Sequence, residues 1–332
     1  MISTNLLDFF SFFLSIILFL YIRFNSIKEN SYFGSDIYYF LLSAENFKKN
    51  KSLPIKLPNY YTMEYRNQYY PPLFSVFLSF FSESFLEKNH RFFNQIIDLI
   101  NILIVLVFIK YLTNFNLFQL SLILFLYSFQ GSLINAFYSL TSRSLGLLIY
   151  NLIIFSIFIF VNEGLIIFYI LSIFFICVLI LTHKLTIQLL IFQIITFFII
   201  SQNFEILILI PLSYLTCFLI NRRLTYGIIR HHIEIVLFWN RNHSNVGGHP
   251  LENFYSKEKK DNYYKNYNFR NLLSLFNSFI RHNPLVINIF FYSYNSDAFG
   301  LFEQFLLFLV LTATIFAVST YIFKPLKCLG EG

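Results

Sequence analysis

The sequence predicts an all-α, polytopic transmembrane protein, and two observations predict it. Of its 332 residues, 57% are hydrophobic and 12% charged, about half the ~25% charged share of an ordinary soluble domain. The apolar residues also stand in long runs almost free of charge, without the period of a half-exposed surface helix. A helix that crosses ~30 Å of hydrocarbon at ~1.5 Å per residue needs about 20 such residues, and several runs reach that length.

In chain order, the first run is 6–24. It lacks a basic leader and a small-residue cleavage site, so it reads as a retained span and not a removed signal peptide. Further spans are expected at 92–112, 117–137, 145–161, 165–181, 185–201, 206–220 and 299–323. The runs 228–239 and 284–294 are short and interrupted, as half-membrane or interfacial segments are. Residues 1–332 thus read as one integral membrane domain of about eight to ten spans, interrupted by a first loop at 25–91, polar over 25–70, and by a polar loop at 240–283. No internal repeat is visible.

The net charge of +7 would point to nucleic acid in a soluble protein; among membrane spans it points to phosphate-bearing lipid, and no nucleic-acid partner is expected. Cys177, Cys217 and Cys328 are scattered, two of them inside apolar runs, and suggest neither a disulfide framework nor a metal site.

The 25–91 stretch is the place for chemistry. Gly34 or Ser35 can cap a helix DIYYFLLSAENFKKN, with Ile37, Leu41, Ala44 and Phe47 on one face. An extended, proline-punctuated crossing, SLPIKLPNYYTMEYRNQ, leads to YYPPLFSVFLSFF. There the paired prolines can begin a helix but not sit inside one. Its apolar run is too short to span, so it reads as a helix lying in the interface, with Tyr69 and Tyr70 at headgroup level.

Several residues invite a role, each with a plainer reading beside it. Asp36 opens the amphipathic helix, where a carboxylate is well placed both as a general base and as an ordinary first-turn acid. Tyr70, Pro71 and Pro72 can shape a pocket for a sugar or lipid head, or anchor the interface. Arg143, His183 and Lys184 stand at span ends and can grip a lipid phosphate or simply snorkel. His231, His232, His243 and His249 match no zinc spacing and read as solvated polar-loop residues. No metal or other cofactor is called for; a divalent cation has no ligand pattern behind it. No nucleotide-binding or serine-hydrolase motif stands in the required strand-to-helix context.

The order of these features resembles the GT-C superfamily of membrane glycosyltransferases, of the protein O-mannosyltransferase and aminoarabinose transferase type. The likeness covers about the first two hundred residues: a first span, GSDIYYFLLSAENFKKNKSLPIKLP, YYPPLFSVFLSFF, and later spans with LTSRSLG and LTHKLT at their ends. It implies a polyprenyl-phosphate-linked sugar donor, a glycan, lipid or protein acceptor on the extracytoplasmic face, and inversion at the anomeric carbon. It also implies that Asp36 is the catalytic acid residue of the first external loop and that Tyr70 to Leu73 begin a juxtamembrane helix. Arg66, Arg143, His183 and Lys184 are then the candidates to hold phosphate. The implied setting is a bacterial inner membrane, or the endoplasmic reticulum of a eukaryote. The chain departs from the family in two ways. Many members carry a second acid close to the first, whereas here the nearest on the same helix is Glu45, and many carry a folded external C-terminal domain.

Charge distribution pulls the other way. The polar 25–70 part of the 25–91 loop holds Lys28, Lys48, Lys49, Lys51, Lys56 and Arg66, and cytoplasmic loops are the ones usually rich in such residues. The extracytoplasmic assignment is kept because a phosphate-gripping site needs cations whichever side it faces. The alternative function is a flippase for lipid-linked saccharides or a small-solute transporter. Apolar spans, with Asp98, Gln188 and Gln193 as the main exceptions, weigh against it.

Overall fold

A computed structural model of the protein describes residues 6–25, 36–57, 67–113, 115–130, 137 and 139–242. By its internal contacts the chain divides into Met1–His232 and Ile233–Gly332, and the description below concerns the first unit, with only the residues of the last helix up to Asn242 belonging to the second. The expected span 299–323, the run 284–294 and the polar loop beyond Asn242 lie outside the described residues.

The described chain is helical almost throughout. Helix α1 (Leu6–Asn25) is followed by α2 (Asp36–Asn50) and a two-stranded antiparallel ribbon, β1 (Ile55–Lys56) and β2 (Asn67–Gln68). Then come α3 (Leu73–Leu78), α4 (Glu83–Leu112), α5 (Leu117–Ser128), α6 (Arg143–Glu163), α7 (Ile166–Ile180), α8 (Lys184–Ser201), α9 (Glu205–Ile220) and α10 (Arg222–Asn242). Among the described residues, three segments are long and apolar enough to cross a membrane: Leu6–Asn25, Phe92–Leu112 and Arg143–Glu163. Phe9, Phe10, Phe13 and Leu14 of α1 are exposed, which water would penalise and lipid would not.

Two sequence expectations change. The span foreseen at 117–137 is a 12-residue helix opened by an Asn116–Gln119 capping box. It ends at Ser128 because the amides of Phe129 and Gln130 turn back onto Leu126 and Tyr127 in a tightened last turn. The interrupted run at 228–239 is instead part of one continuous 21-residue helix, α10. Among the described residues, α7, α9 and the apolar part of α8 are also shorter than a full crossing.

The centre of the unit is α6, which packs against α4, α7 and α8. Ile149, Ile153, Ile154 and Ile157 fill its buried face. Polar side chains fix its rotation. Ser144 Oγ donates to Asn94 Oδ1 (2.9 Å), and seven residues further along both helices Asn151 Nδ2 donates to Asn101 Oδ1 (2.7 Å). Tyr150 OH donates to Gln193 on α8 (2.5 Å). A second buried group locks α1 to α4 and α5: Arg23 pairs with Asp98 at 3.1 Å, and Tyr127 OH donates to Asp98 at 2.6 Å. The spans are therefore more polar inside than the sequence suggests, since Asn94, Gln95 and Asn101 join Asp98 on the buried side of α4. In hydrocarbon such hydrogen bonds are worth about 1 kcal/mol each, enough to select one packing.

Candidate functional site

Helix α2 forms where the periodicity places it, but its buried face is Ile37, Phe40, Ser43 and Ala44. Phe40 takes the central position, while Leu41 and Phe47 are only partly covered. The reason is its partner, α3, whose Phe74 sits edge-on to Phe40 at 5.1 Å with Leu78 beneath. The expected residues Gly34 and Ser35 lie outside the described residues, and Asp36 is the first residue of α2, exposed.

The extended crossing returns on itself. Ile55 pairs with Gln68 and Lys56 with Asn67, so the chain is brought back before it reaches Tyr69 and Tyr70. Pro71 and Pro72 are buried, and Pro72 occupies the N-cap position of α3, where its missing N–H costs nothing. The Leu73 amide donates to the Leu181 carbonyl at the end of α7 (2.8 Å), which stitches the YPPL segment to the turn that carries His183 and Lys184.

Around this stitch the sequence candidates come together. Tyr70 is edge-on to Tyr39 (5.6 Å) and Phe40 (6.0 Å) on α2. Its hydroxyl meets Ser142 Oγ at 3.5 Å, beside Arg143, and the Lys184 ammonium lies 5.4 Å from its ring centroid. Asp36 is within electrostatic reach of both Tyr70 and Lys184. Arg143 and Lys184 bear on His183, so four elements meet. Asp36, Arg143 and Lys184 are each the first residue of a helix, α2, α6 and α8. Two helix N-termini that each begin with a cation form a field suited to an anion. Arg66 lies outside the described residues.

The ionisation pattern follows from burial. The His183 imidazole is pushed down to about 3 by desolvation first, then by Arg143, Lys184 and His232. The His232 imidazole is pushed down to about 4 by desolvation, with His231 and Lys184 adding to it. Lys184 is lowered by burial, while the Asp36 carboxylate opposes the shift. Tyr70 is raised, chiefly by burial; the Ser142 hydrogen bond and Arg143 act against this and Asp36 with it. At neutral pH both histidines are therefore neutral.

Other residues, which the sequence did not single out, hold the site in place. Asn94 Nδ2 donates to the Ser139 carbonyl, and Gln95 Nε2 to the Phe137 carbonyl at 2.9 Å. These two buried amides fix the segment that leads into Ser142 and Arg143. His183 caps α8, accepting from the Thr186 amide at 3.4 Å and touching the Thr186 hydroxyl. Gly146 lets α6 approach that cap: a Cβ there would fall 2.7 Å from His183 Cβ. Gly227 on α10 lies against Tyr69, whose ring would be 2.0 Å from a Cβ. Two small residues were the available signal, legible only once the neighbouring helix is known.

His232 corrects the sequence reading of that cluster as solvated: its Nε2 is buried. Among the described residues no three His, Cys, Asp or Glu side chains converge as metal ligands would. A cavity of about 570 Å³ lies elsewhere, between the far face of α2 and the α3–α4 turn, over Leu41, Leu86 and Phe81. It is mainly apolar, and Asp36, Arg143 and Lys184 do not line it. A scan of protein-family models and searches of curated proteins and solved structures return no match, so the GT-C likeness stands on the residues quoted above.

Proposed function

We propose that the protein is an inverting glycosyltransferase that moves a sugar from a polyprenyl-phosphate-linked donor to an acceptor hydroxyl or amine at the extracytoplasmic face. The observation that supports this reading is one exposed carboxylate, Asp36, set within reach of Tyr70 and Lys184 where two cation-bearing helix starts converge. Phosphate is already a good leaving group, so the transfer needs one base and a cationic cradle. A glycosidase, by contrast, uses a pair of carboxylates.

In this reading the Asp36 carboxylate takes the acceptor proton as the acceptor heteroatom bonds to the anomeric carbon. The anomeric carbon–oxygen bond breaks on the opposite face, and its electron pair leaves with the phosphate. Lys184 and Arg143 meet the charge that accumulates there. Tyr70, held edge-on by Tyr39 and Phe40, offers an aromatic wall to the sugar. Asp36→Asn tests the assignment. Transfer should fall by about 10²–10⁴ while the protein elutes and melts as the wild type does; retained transfer would remove Asp36 from the chemistry.

One observation favours a second reading, flipping of lipid-linked saccharides or solute transport. Arg23 and Asp98 are a fully buried pair inside the apolar segments, and such pairs often mark transport paths. Proteoliposomes holding a fluorescent lipid-linked saccharide separate the two, since flipping exposes label to an external quencher without acceptor and transfer consumes donor only with it.

A further inference from the structure

We infer that His232, on α10, contacts the same anion as Lys184 and Arg143, donating a hydrogen bond from Nε2 to a phosphate oxygen. This rests on the phosphate-holding role proposed above and adds an element, α10, that the family likeness does not cover.

The starting point is an unexplained atom. His232 Nε2 is shielded from solvent and has no hydrogen-bond partner among the described residues. A buried imidazole nitrogen left unpaired is destabilising, so its place in the fold calls for a partner that the described chain does not supply. Its surroundings say what kind. Lys184 and His183 both lie within electrostatic reach of it, and Arg143 bears on His183 in turn. Lys184 and Arg143 are donors only, and the Asp36 carboxylate bears on Lys184 and Tyr70 but is not among the groups that act on His183 or His232. An oxyanion satisfies both cations and the imidazole together.

The wall that carries His232 is fixed in position. Its helix touches the Tyr69 ring at Gly227, without room for a methyl group, and Tyr69 adjoins Tyr70 in the site. His232 follows less than two turns later on the same helix. Burial holds its imidazole neutral, with a pKa of about 4. The ring therefore brings one N–H to the anion and no further charge, leaving charge balance to Lys184 and Arg143.

The shared chemistry, a phosphate group, belongs equally to a lipid headgroup and to free phosphate. The test therefore measures binding of farnesyl phosphate, inorganic phosphate and farnesol to the full-length protein in detergent. The variants are His232→Met and His232→Gln, similar in bulk, the second keeping an N–H donor; Lys184→Ala and Arg143→Ala report on the underlying site. Farnesyl phosphate should bind about tenfold more weakly to His232→Met and within threefold of wild type to His232→Gln, with farnesol unaffected by either. Equal binding by both His232 variants, while Lys184→Ala and Arg143→Ala weaken it, overturns the role of His232 alone. Unchanged binding in all four variants overturns the phosphate site itself. If inorganic phosphate competes as strongly as farnesyl phosphate and shows the same His232 dependence, the anion contact stands and the lipid source falls. Should His232→Met fail to fold, loss of binding in folded His232→Asn, whose side chain is too short to reach, decides in its place against folded His232→Gln.

Discussion

Replacing Gly146 by alanine should open the site without removing any charged group. A Cβ at that position falls 2.7 Å from His183 Cβ, 2.9 Å from Thr186 Oγ1 and 3.1 Å from His183 Cγ. Ordinary contact begins at 3.4 Å, so the start of α6 and the His183 cap must separate by about 0.7 Å (3.4 less 2.7). His183 cannot simply rotate aside, because the nearest atom is its Cβ and its ring is engaged by Thr186. Overpacking of this kind costs ~1–3 kcal/mol, against which alanine gains ~1 kcal/mol over glycine as a helix residue. The net destabilisation is about 1 kcal/mol, a fall of roughly 2–4 °C in apparent Tm. The functional effect should be larger. The Tyr70–Ser142 contact is already 3.5 Å, and a shift of that size in a positioned site can cost about 10²-fold in rate. Gly164→Ala supplies the comparison. Gly164 ends α6 in the left-handed region at φ 68° with nothing within 4 Å, so alanine there costs ~1 kcal/mol of backbone strain far from the site. Melting in detergent and transfer from a lipid-phosphate sugar should show similar Tm losses for the two variants and a rate loss only for Gly146→Ala. Full activity in Gly146→Ala, or equal rate losses in both, would refute the reasoning.

Removing one member of the buried Arg23–Asp98 pair, as in Asp98→Asn, should cost ~3–5 kcal/mol. The paired change Arg23→Met with Asp98→Leu should recover most of that in a melting assay, because no charge is then left stranded. Asn94→Ala leaves the Ser139 carbonyl and the Ser144 hydroxyl without their partner. It should lower stability by ~1–3 kcal/mol and transfer by more than Asn151→Ala does, since Asn94, unlike Asn151, helps hold the segment leading into Arg143. Acid should destabilise the protein through its histidines. Their folded pKa values, about 3 for His183 and about 4 for His232, lie below the ordinary 6.5, so the unfolded chain binds protons that the folded site refuses. Stability is then complete above pH 6.5 and falls as the pH drops toward 4, by up to ~1.4 kcal/mol per pH unit for each histidine. The double variant His183→Asn, His232→Gln should flatten the dependence of Tm on pH in that window.

The sequence made legible what depends on local pattern. Residues 36–50 form a helix because their apolar spacing is helical, whereas the cap that His183 places on α8 shows only in the structure. The resemblance, not any local pattern, set Asp36, Tyr70, Arg143, His183 and Lys184 in one site; in the structure Asp36 is within electrostatic reach of Tyr70 and Lys184, and Arg143 and Lys184 of His183. What remained hidden depends on partners. Phe40 displaces Leu41 from the centre of the buried face because Phe74 lies opposite. Asn94, Asn101 and Asn151 look like stray amides until α4 and α6 are set side by side. His232 reads as one of several loop histidines until α10 is found to be continuous and seated on Tyr69.

The most direct measurement of glycosyl transfer is acceptor-dependent release of lipid phosphate by the purified protein supplied with radiolabelled polyprenyl-phosphate sugars. The account predicts release of the free polyprenyl phosphate only when acceptor is present, with label appearing in the acceptor at inverted configuration and with Asp36→Asn silent. Absence of release with every donor and acceptor offered, or release that Asp36→Asn leaves intact, would contradict it.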